Sequence, residues 1–168
     1  MKSSRKPFTS YSQVGQDRWA YEKIGDTGFF LDIGCGHPNE GSNTFGLEAV
    51  GWTGVLVDYD DYVSQLCRAQ RKVPYIHADA TKLDWSTIEG IPKVVDYLSL
   101  DVDAASLDAL KQFMRYFRFK VATIEHDSYR FGNGSRDEMR RILETAGYTC
   151  AFKDVESKGM PFEDWWTA

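Results

Sequence analysis

An acidic residue follows each of several short apolar runs in this sequence. A single acid or glycine there is ordinary, because both are common in turns. Repeated after successive runs, they indicate a shared site, since open α/β sheets bind ligands at the carboxyl ends of their strands. The residues concerned are Asp32 with Gly34 and Gly36, then Asp58, Asp79, Asp101 with Asp103, and Glu125 with His126 and Asp127.

The turn after the first apolar run contains Gly34 and Gly36 but lacks the third glycine of a dinucleotide-binding fingerprint. Position 39 is Asn39, which follows Pro38. A carboxylate at Asp32 would repel the pyrophosphate of NAD, whereas it would attract the ammonium and sulfonium groups of S-adenosylmethionine. The sequence therefore predicts S-adenosylmethionine as the cofactor and makes an NAD-dependent oxidoreductase the alternative.

Two further acids are spaced to bind the nucleoside part of this cofactor. Asp58 lies 22 residues beyond Gly36, where a carboxylate can accept hydrogen bonds from ribose hydroxyls. Tyr59 is expected to pack on the adenine. Asp79 is expected to bind the adenine amino group, with Ala80 small enough to admit the ring. A turn or a helix cap is the alternative role for Asp79.

Methyl transfer is an in-line displacement at carbon, so the protein has mainly to align the acceptor, the methyl group and the sulfur. A hydroxyl acceptor also loses a proton, and His126 or Asp101 is predicted as the general base because both follow apolar runs. A structural, hydrogen-bonded histidine is the alternative for His126. We predict no bound metal, although Asp101, Asp103 and Asp127 could together offer oxygen ligands to a divalent cation.

The elements that must position these residues alternate between apolar runs and helical segments, which is typical of βαβ units. We expect an α/β fold with a mostly parallel sheet of six or seven strands and helices on both faces. Strands are predicted at 29–33, 55–57, 75–77, 94–100, 119–124 and 148–155, and 162–166 is either a last edge strand or a lid. Helices are predicted at 43–50, 62–70, 106–117 and 139–146, with an irregular crossover at 81–92.

The ordered set of motifs resembles the FkbM-type methyltransferases over nearly the whole chain. This resemblance implies the Rossmann-like class I methyltransferase fold, S-adenosylmethionine as cofactor, and methylation of a hydroxyl on a sugar or another small molecule. The motifs are Ser12-Gln13-Val14-Gly15-Gln16-Asp17, Phe30-Leu31-Asp32-Ile33-Gly34, Ser42-Asn43-Thr44, Gly51-Trp52-Thr53-Gly54, Tyr97-Leu98-Ser99-Leu100-Asp101-Val102-Asp103, Ile124-Glu125-His126, Gly147-Tyr148 and Phe162-Glu163-Asp164-Trp165.

The resemblance also implies roles for individual residues. The methionine end of the cofactor would contact Asp32, Gly34 and the segment Ser42, Asn43 and Thr44, with Asp58 on the ribose and Asp79 on the adenine. Gln13 and Gln16 would close over the cofactor. The family's Asp-Val-Glu-Gly segment is here Asp101-Val102-Asp103-Ala104, which shortens an acid and removes a glycine. This difference keeps a non-catalytic cofactor-binding module as a second alternative.

Composition narrows the class of protein. The 168 residues are 42% hydrophobic and 27% charged, as in one ordinary globular domain, and residues 1–12 are expected to form a flexible tail. A net charge of −5 gives no general attraction to nucleic acid or to anionic lipid. Three cysteines, without paired spacing, fit a reducing cytoplasm. We therefore expect a cytoplasmic enzyme with a small-molecule acceptor and neither nucleic acid nor membrane as partner.

Overall fold

The structure is a computed structural model and describes residues 5–168. Most of these residues belong to strands and helices of one α/β arrangement. The strands are β1 Phe29–Ile33, β2 Thr53–Asp58, β3 Tyr75–His77, β4 Val94–Leu100, β5 Arg118–Glu125, β6 Thr149–Ser157 and β7 Met160–Thr167. The helices are α1 Gln16–Ile24, α2 Phe45–Val50, α3 Asp61–Gln70, α4 Ser106–Tyr116, α5 Ser128–Phe131 and α6 Asn133–Thr145.

The seven strands form one sheet in the order β3-β2-β1-β4-β5-β7-β6. Strands β1 to β5 pair in parallel, whereas β7 is antiparallel to both β5 and β6. The order reverses between β1 and β4, which creates the switch point where such sheets bind ligands. The predicted fold class, a mostly parallel sheet in a Rossmann-like arrangement, is confirmed.

Helices cover both faces of the sheet because the strand residues alternate between two apolar cores. Leu31 of β1 belongs to one core, together with Phe113 of α4 and Leu143 of α6. Phe30, the preceding residue, belongs to the other core, with Leu47 of α2. A near-continuous apolar run is what a parallel strand buried on both faces requires.

The C-terminal strand is not an edge strand, so that part of the prediction is wrong. Strand β7 lies between β5 and β6, and β6 forms the edge. The hairpin turn at Lys158 and Gly159, both with positive φ, folds β7 back along β6. In this interior position Trp166 is only 1% exposed, which an edge position would not achieve.

The expected flexible tail, over the residues that the structure describes, is packed against α1. The Phe8 ring stacks on Tyr21 with ring centroids 4.5 Å apart, and the backbone N–H of Tyr11 donates to Asp17 Oδ2 at 2.7 Å. Residues 1–4 lie outside the described residues. Helix α1 itself was not predicted, because its apolar periodicity is weak. No helix among residues 5–168 has the length and apolarity needed to cross a lipid bilayer.

Candidate active site

A cavity of about 620 Å³ opens at the carboxyl edge of the sheet, beside the switch point. This volume is ordinary for a small-molecule site. The cavity brings together many of the predicted residues, namely Gly34, Gly36, Asp58, Tyr59, Asp79, Ala80, Asp101 and Asp103. It is also lined by residues without a predicted role, including Val57, Asp60, Val63, Thr81, Val102 and Ala105. Three of these residues are valines, whose apolar side chains carried no chemical signal in the sequence.

The turn after β1 requires glycine for steric reasons. Gly34 has φ +78°, and a Cβ there would lie 1.6 Å from the carbonyl oxygen of Asp101. The turn therefore presses directly on the end of β4, which only a residue without a side chain allows. Gly36, with φ +57°, donates its backbone N–H to Asp58 Oδ2 at 3.0 Å. Backbone and carboxylate together define the wall between β1 and β2.

Asp58 and Tyr59 form the next part of the wall, at the end of β2. Asp58 Oδ1 accepts the backbone N–H of Asp60 at 3.1 Å. Each carboxylate oxygen has two lone pairs, so Asp58 keeps acceptor capacity for hydroxyl groups of a ligand. The Tyr59 ring is 74% exposed at the cavity, which leaves one face free to stack.

Asp79 is the acid at the end of β3. Its Oδ1 accepts both the backbone N–H and the hydroxyl of Thr81, at 2.9 and 2.6 Å, and its Oδ2 lies 3.0 Å from Lys82 Nζ. The hydrogen bonds from Thr81, and then from Lys82, lower the pKa of Asp79 to about 2. Its side chain is therefore an ionised acceptor at neutral pH. The self-capped turn expected as the alternative is present, and it coexists with the cavity position.

A second set of acids lies at the ends of β4 and β5, with very different electrostatics. Burial and the adjacent carboxyl groups of Asp101 and Asp127 raise the pKa of Glu125 to about 11. Glu125 is therefore a neutral acid that can donate a hydrogen bond to Asp101. Asp101 is an exposed residue that lines the cavity, and desolvation by the surrounding protein raises its pKa as well. Asp127 also belongs to this group of interacting carboxyls, and burial raises its pKa in the same direction.

Glu163 of β7 completes this acidic region, and sequence reasoning gave it no separate role. It lies opposite Glu125 in the β5–β7 register and is 3% exposed. Burial raises its pKa to about 8, although hydrogen bonds from Trp165 and Gln16 oppose the shift. The Trp165 Nε1–H donates to Glu163 Oε1 at 2.6 Å. The only sequence signal was the Phe-Glu-Asp-Trp segment of the family resemblance.

Asp32 is not at the cavity surface but in a buried polar network behind the glycine turn. The carboxyl group is 1% exposed, and its Oδ2 accepts the Thr44 hydroxyl at 2.6 Å. Burial raises the pKa of Asp32, while Thr44 and Arg71 act in the opposite direction. Arg71 also donates to Thr44 Oγ1 at 3.1 Å and to Glu48 at 2.6 Å. The network fixes the start of α2 and the turn.

The segment Ser42 to Thr44 divides between this network and a free polar atom. Ser42 Oγ accepts the backbone N–H of Phe45 at 3.1 Å and so begins α2. Asn43 Nδ2 donates to Ser99 Oγ at 3.1 Å. Asn43 Oδ1 is buried and has no hydrogen-bond partner within residues 5–168. Of this segment, Asn43 alone therefore retains an unsatisfied acceptor for a ligand.

The two predicted glutamines lie on the far side of the acidic region. Gln13 Nε2 donates to Ser157 Oγ at 2.6 Å, which connects the N-terminal segment to the β6–β7 hairpin. Gln16 is 2% exposed, and its Oε1 accepts the backbone N–H of Val14 at 2.9 Å. Neither residue lines the 620 Å³ cavity. Gln13 therefore contacts the β6–β7 hairpin, and Gln16 contacts the N-terminal segment and Glu163.

His126 does not line the cavity in which the other predicted residues meet, so its role as a general base stays a prediction without support from this geometry. It is 3% exposed, and its Nδ1 accepts the backbone N–H of Ser128 at 3.1 Å. Its Nε2 lies 3.6 Å from Asp164 and 3.7 Å from Asp154. The structural, hydrogen-bonded alternative describes His126 better.

His126, Asp154 and Asp164 are also the one group of metal-ligand type that comes together within 4.8 Å among residues 5–168. The guanidinium group of Arg140 lies where a metal ion would have to bind. Arg140 Nη2 lies 2.7 Å from Asp164 Oδ1 and 2.9 Å from Asp154 Oδ1. Asp103 and Asp127, which the sequence offered as possible metal ligands, both lie within ion-pair distance of Arg130. Each of these four carboxyl groups therefore has an arginine within ion-pair distance.

Solved structures of low sequence identity share this arrangement. A Clostridium thermocellum protein named as an rRNA methylase has a TM-score of 0.65 and 13% identity, over 95% of this chain and 97% of that one. The chain has the class I methyltransferase fold. A Streptococcus mutans protein named as a methyltransferase, in complex with SAH, gives 0.65 and 11%, over 95% and 99%.

A third neighbour was solved with a small acceptor. The 1,6-didemethyltoxoflavin-N1-methyltransferase of Burkholderia thailandensis, with 1,6-didemethyltoxoflavin and S-adenosylhomocysteine bound, gives a TM-score of 0.55 and 14% identity, over 90% of this chain and 74% of that one. No family model and no curated protein matches the sequence. At these identities the likeness shows the fold.

Proposed function

We propose that this protein is an FkbM-type methyltransferase that transfers the methyl group of S-adenosylmethionine to a hydroxyl oxygen of a sugar or another small molecule. One observation carries the proposal: a cavity at the switch point is lined by a glycine turn and by acids from β2, β3 and β4. The fold shared with methyltransferases supports the same reaction class.

The residues of the cavity fit the parts of this cofactor. Asp58, which keeps free lone pairs, would accept the ribose hydroxyls, and the exposed Tyr59 ring would stack on the adenine. Ionised Asp79 would accept from the adenine amino group. The methionine end would lie along the turn at Gly34. Asn43 has a buried Oδ1 without a partner among residues 5–168 but does not line the cavity, so its contact with the ammonium group stays a prediction. Asp32 acts indirectly, by holding that turn.

Bound S-adenosylmethionine would supply an electrophilic methyl group on sulfur. Asp101 is the protein group placed to receive the acceptor's proton, because it opens on the cavity beside Gly34. A general base is most effective when its pKa is near the working pH, and the pKa of Asp101 is raised by desolvation. Glu125 holds the neighbouring proton, so Asp101 carries the negative charge of the pair.

The charge of the site favours a neutral or cationic acceptor over nucleic acid. One neighbour is named as an rRNA methylase, so RNA is the relevant competing acceptor. The cavity is lined by Asp58, Asp79, Asp101 and Asp103, which would repel a phosphate backbone. A small acceptor therefore agrees better with the electrostatics.

Calorimetric titration with S-adenosylmethionine, S-adenosylhomocysteine and NAD tests the cofactor. We expect micromolar binding of the first two and none of NAD, and tight NAD binding would favour the oxidoreductase alternative. Methyl-labelled cofactor should then be incubated with the protein and with sugars, lipids, protein and RNA. Label in a small hydroxyl compound supports the proposal. Label in RNA would contradict the acceptor class, and binding without any transfer would favour the non-catalytic module.

A further inference from the structure

Two buried thiols meet directly behind the glycine turn. Cys35 lies between Gly34 and Gly36, and its Sγ is 4.0 Å from Sγ of Cys67, in the last turn of α3. Cys35 is 6% exposed and Cys67 is 1% exposed. Cys67 Sγ also lies 3.6 Å from the carbonyl oxygen of Gly36. The pair therefore connects the cavity turn to the helix beside it.

This separation is close to what a disulfide needs. A disulfide bond is about 2 Å long, so the sulfur atoms have to approach by roughly 2 Å, which side-chain rotation and a small backbone shift can supply. The two thiols differ in acidity. The hydrogen bond from Cys35 lowers the pKa of Cys67; burial opposes this shift and the charge of Arg71 adds to it. The same hydrogen bond, together with burial, raises the pKa of Cys35. Cys67 is thus the better nucleophile.

We propose that Cys35 and Cys67 form a reversible disulfide that distorts the glycine turn and weakens cofactor binding. The oxidant is a small-molecule disulfide. The Cys67 thiolate attacks one of its sulfurs and releases one thiolate, which gives a mixed disulfide. Cys35 then loses its proton and attacks the Cys67 sulfur, releasing the second small thiolate and closing the protein disulfide. The protein loses two hydrogens and two electrons, and the oxidant gains them.

The glycine turn is held on both sides of Cys35, so it cannot move freely when the two sulfur atoms approach each other. Gly34 on one side of Cys35 is in contact with Asp101, and Gly36 on the other side donates to Asp58. A displacement of Cys35 toward α3 therefore shifts both neighbours, and with them the wall on which the cofactor would lie. Because both thiols are buried, exchange requires transient opening of this wall. A cofactor bound against the turn should slow it.

The effect on the cofactor rests on the proposed function, so the test separates the two. The purified protein is incubated with glutathione disulfide, quenched by alkylation, and its bonds are mapped by mass spectrometry. We expect a Cys35–Cys67 disulfide with Cys150 alkylated, and full reversal by dithiothreitol. Hydrogen exchange of the peptide containing residues 34–36 should change on oxidation, whether or not any ligand binds. Affinity for S-adenosylmethionine should fall by about tenfold or more and return on reduction.

Single substitutions provide the controls. Cys150→Ser should behave as the unmodified protein, whereas Cys67→Ser should keep cofactor affinity and lose sensitivity to the oxidant. Cys35→Ser serves the same purpose if Cys67→Ser does not fold. The inference is overturned if Cys35 and Cys67 remain separately alkylated, or if the disulfide forms without altering exchange of the turn. Failure of the reduced protein to bind the cofactor would instead contradict the proposed function and leave the mapping and exchange readouts intact.

Discussion

The carboxyl edge of the sheet has two halves that use the same residue type in opposite ways. The half at the ends of β2 and β3 contains Asp58 and Asp79; we propose that the cofactor binds there and call it the cofactor half. The half at the ends of β4 and β5 contains Asp101 and Glu125, with Glu163 of β7 opposite Glu125; it holds the proposed general base, and we call it the acceptor half. The pKa is about 2 for Asp79, about 11 for Glu125 and about 8 for Glu163.

The difference follows from the partners of each carboxyl group. In the cofactor half Asp79 accepts hydrogen bonds from the backbone N–H and the hydroxyl of Thr81 and forms an ion pair with Lys82, and these contacts favour its charged form. In the acceptor half the acids are desolvated and adjoin one another, and both effects favour the neutral form. Fixed charge suits binding of a ligand, whereas an exchangeable proton suits acid–base chemistry.

The junction between the halves is the contact between Gly34 and Asp101, and breaking it should have the largest effect. Gly34→Ala places a Cβ 1.6 Å from the Asp101 carbonyl oxygen, so we expect a loss of about 2–5 kcal/mol of folding stability together with loss of cofactor binding. Gly36→Ala is the matched control, because it shares a positive φ but has open space around a Cβ. It should cost about 1–2 kcal/mol. Urea denaturation measures both, and equal losses would refute the steric argument.

Removing the exchangeable charge of the acceptor half should affect the reaction rather than binding. Asp101→Asn cannot accept the proton, so we expect the rate constant for methyl transfer to fall by about 10²–10⁴. The affinity for S-adenosylmethionine should stay close to that of the unmodified protein. Asp108→Asn, an exposed acid on α4, is the control and should keep the full rate. An Asp101→Asn enzyme of normal rate would remove Asp101 from the mechanism.

Removing an acid of the cofactor half should weaken binding of S-adenosylmethionine. Asp58→Ala loses charged hydrogen bonds to the ligand and to the glycine turn, so affinity for S-adenosylmethionine should weaken by about 1–3 kcal/mol in calorimetry. Asp61→Ala changes a neighbouring acid whose side chain is 90% exposed, and it should bind normally. Unchanged affinity in Asp58→Ala would exclude Asp58 from the binding site.

Glu163 offers the most specific test of the comparison, because the effect appears only as a pH dependence. Its folded pKa of about 8 is above that of an unfolded glutamate, so the folded state binds the extra proton and stability falls as pH rises from about 4.5 to 8. The steepest slope of one such group is about 1.4 kcal/mol per pH unit. Glu163→Gln removes this titration, so denaturation midpoints between pH 5 and 8 should change less with pH. A slope equal to that of the unmodified protein would place the titration elsewhere.

Local patterns predicted the parallel strands and the acids at their ends better than the C-terminal hairpin. Strands β1, β3 and β4 have the predicted bounds, and Asp58 and Asp79 reach the cavity. At the C-terminal hairpin, His126 lies outside the cavity lining, and Glu163 of β7 lies beside Glu125. Asp58 and Asp79 follow parallel strands whose ends must meet at one edge, so counting along the chain locates them. The C-terminal hairpin could have paired in more than one way.

The sequence by itself determined the order of the first five strands and of helices α2, α3 and α4 between them, the glycine turn and the acids that follow the strands, because these depend on local periodicity and turn chemistry. Only the tertiary structure decided that β7 enters between β5 and β6, that Asp32 is buried with Arg71, and that Glu125 retains a proton. The position of β7 depends on long-range strand pairing. The protonation state depends on desolvation and on which charges become neighbours, and neither quantity exists before the chain is folded.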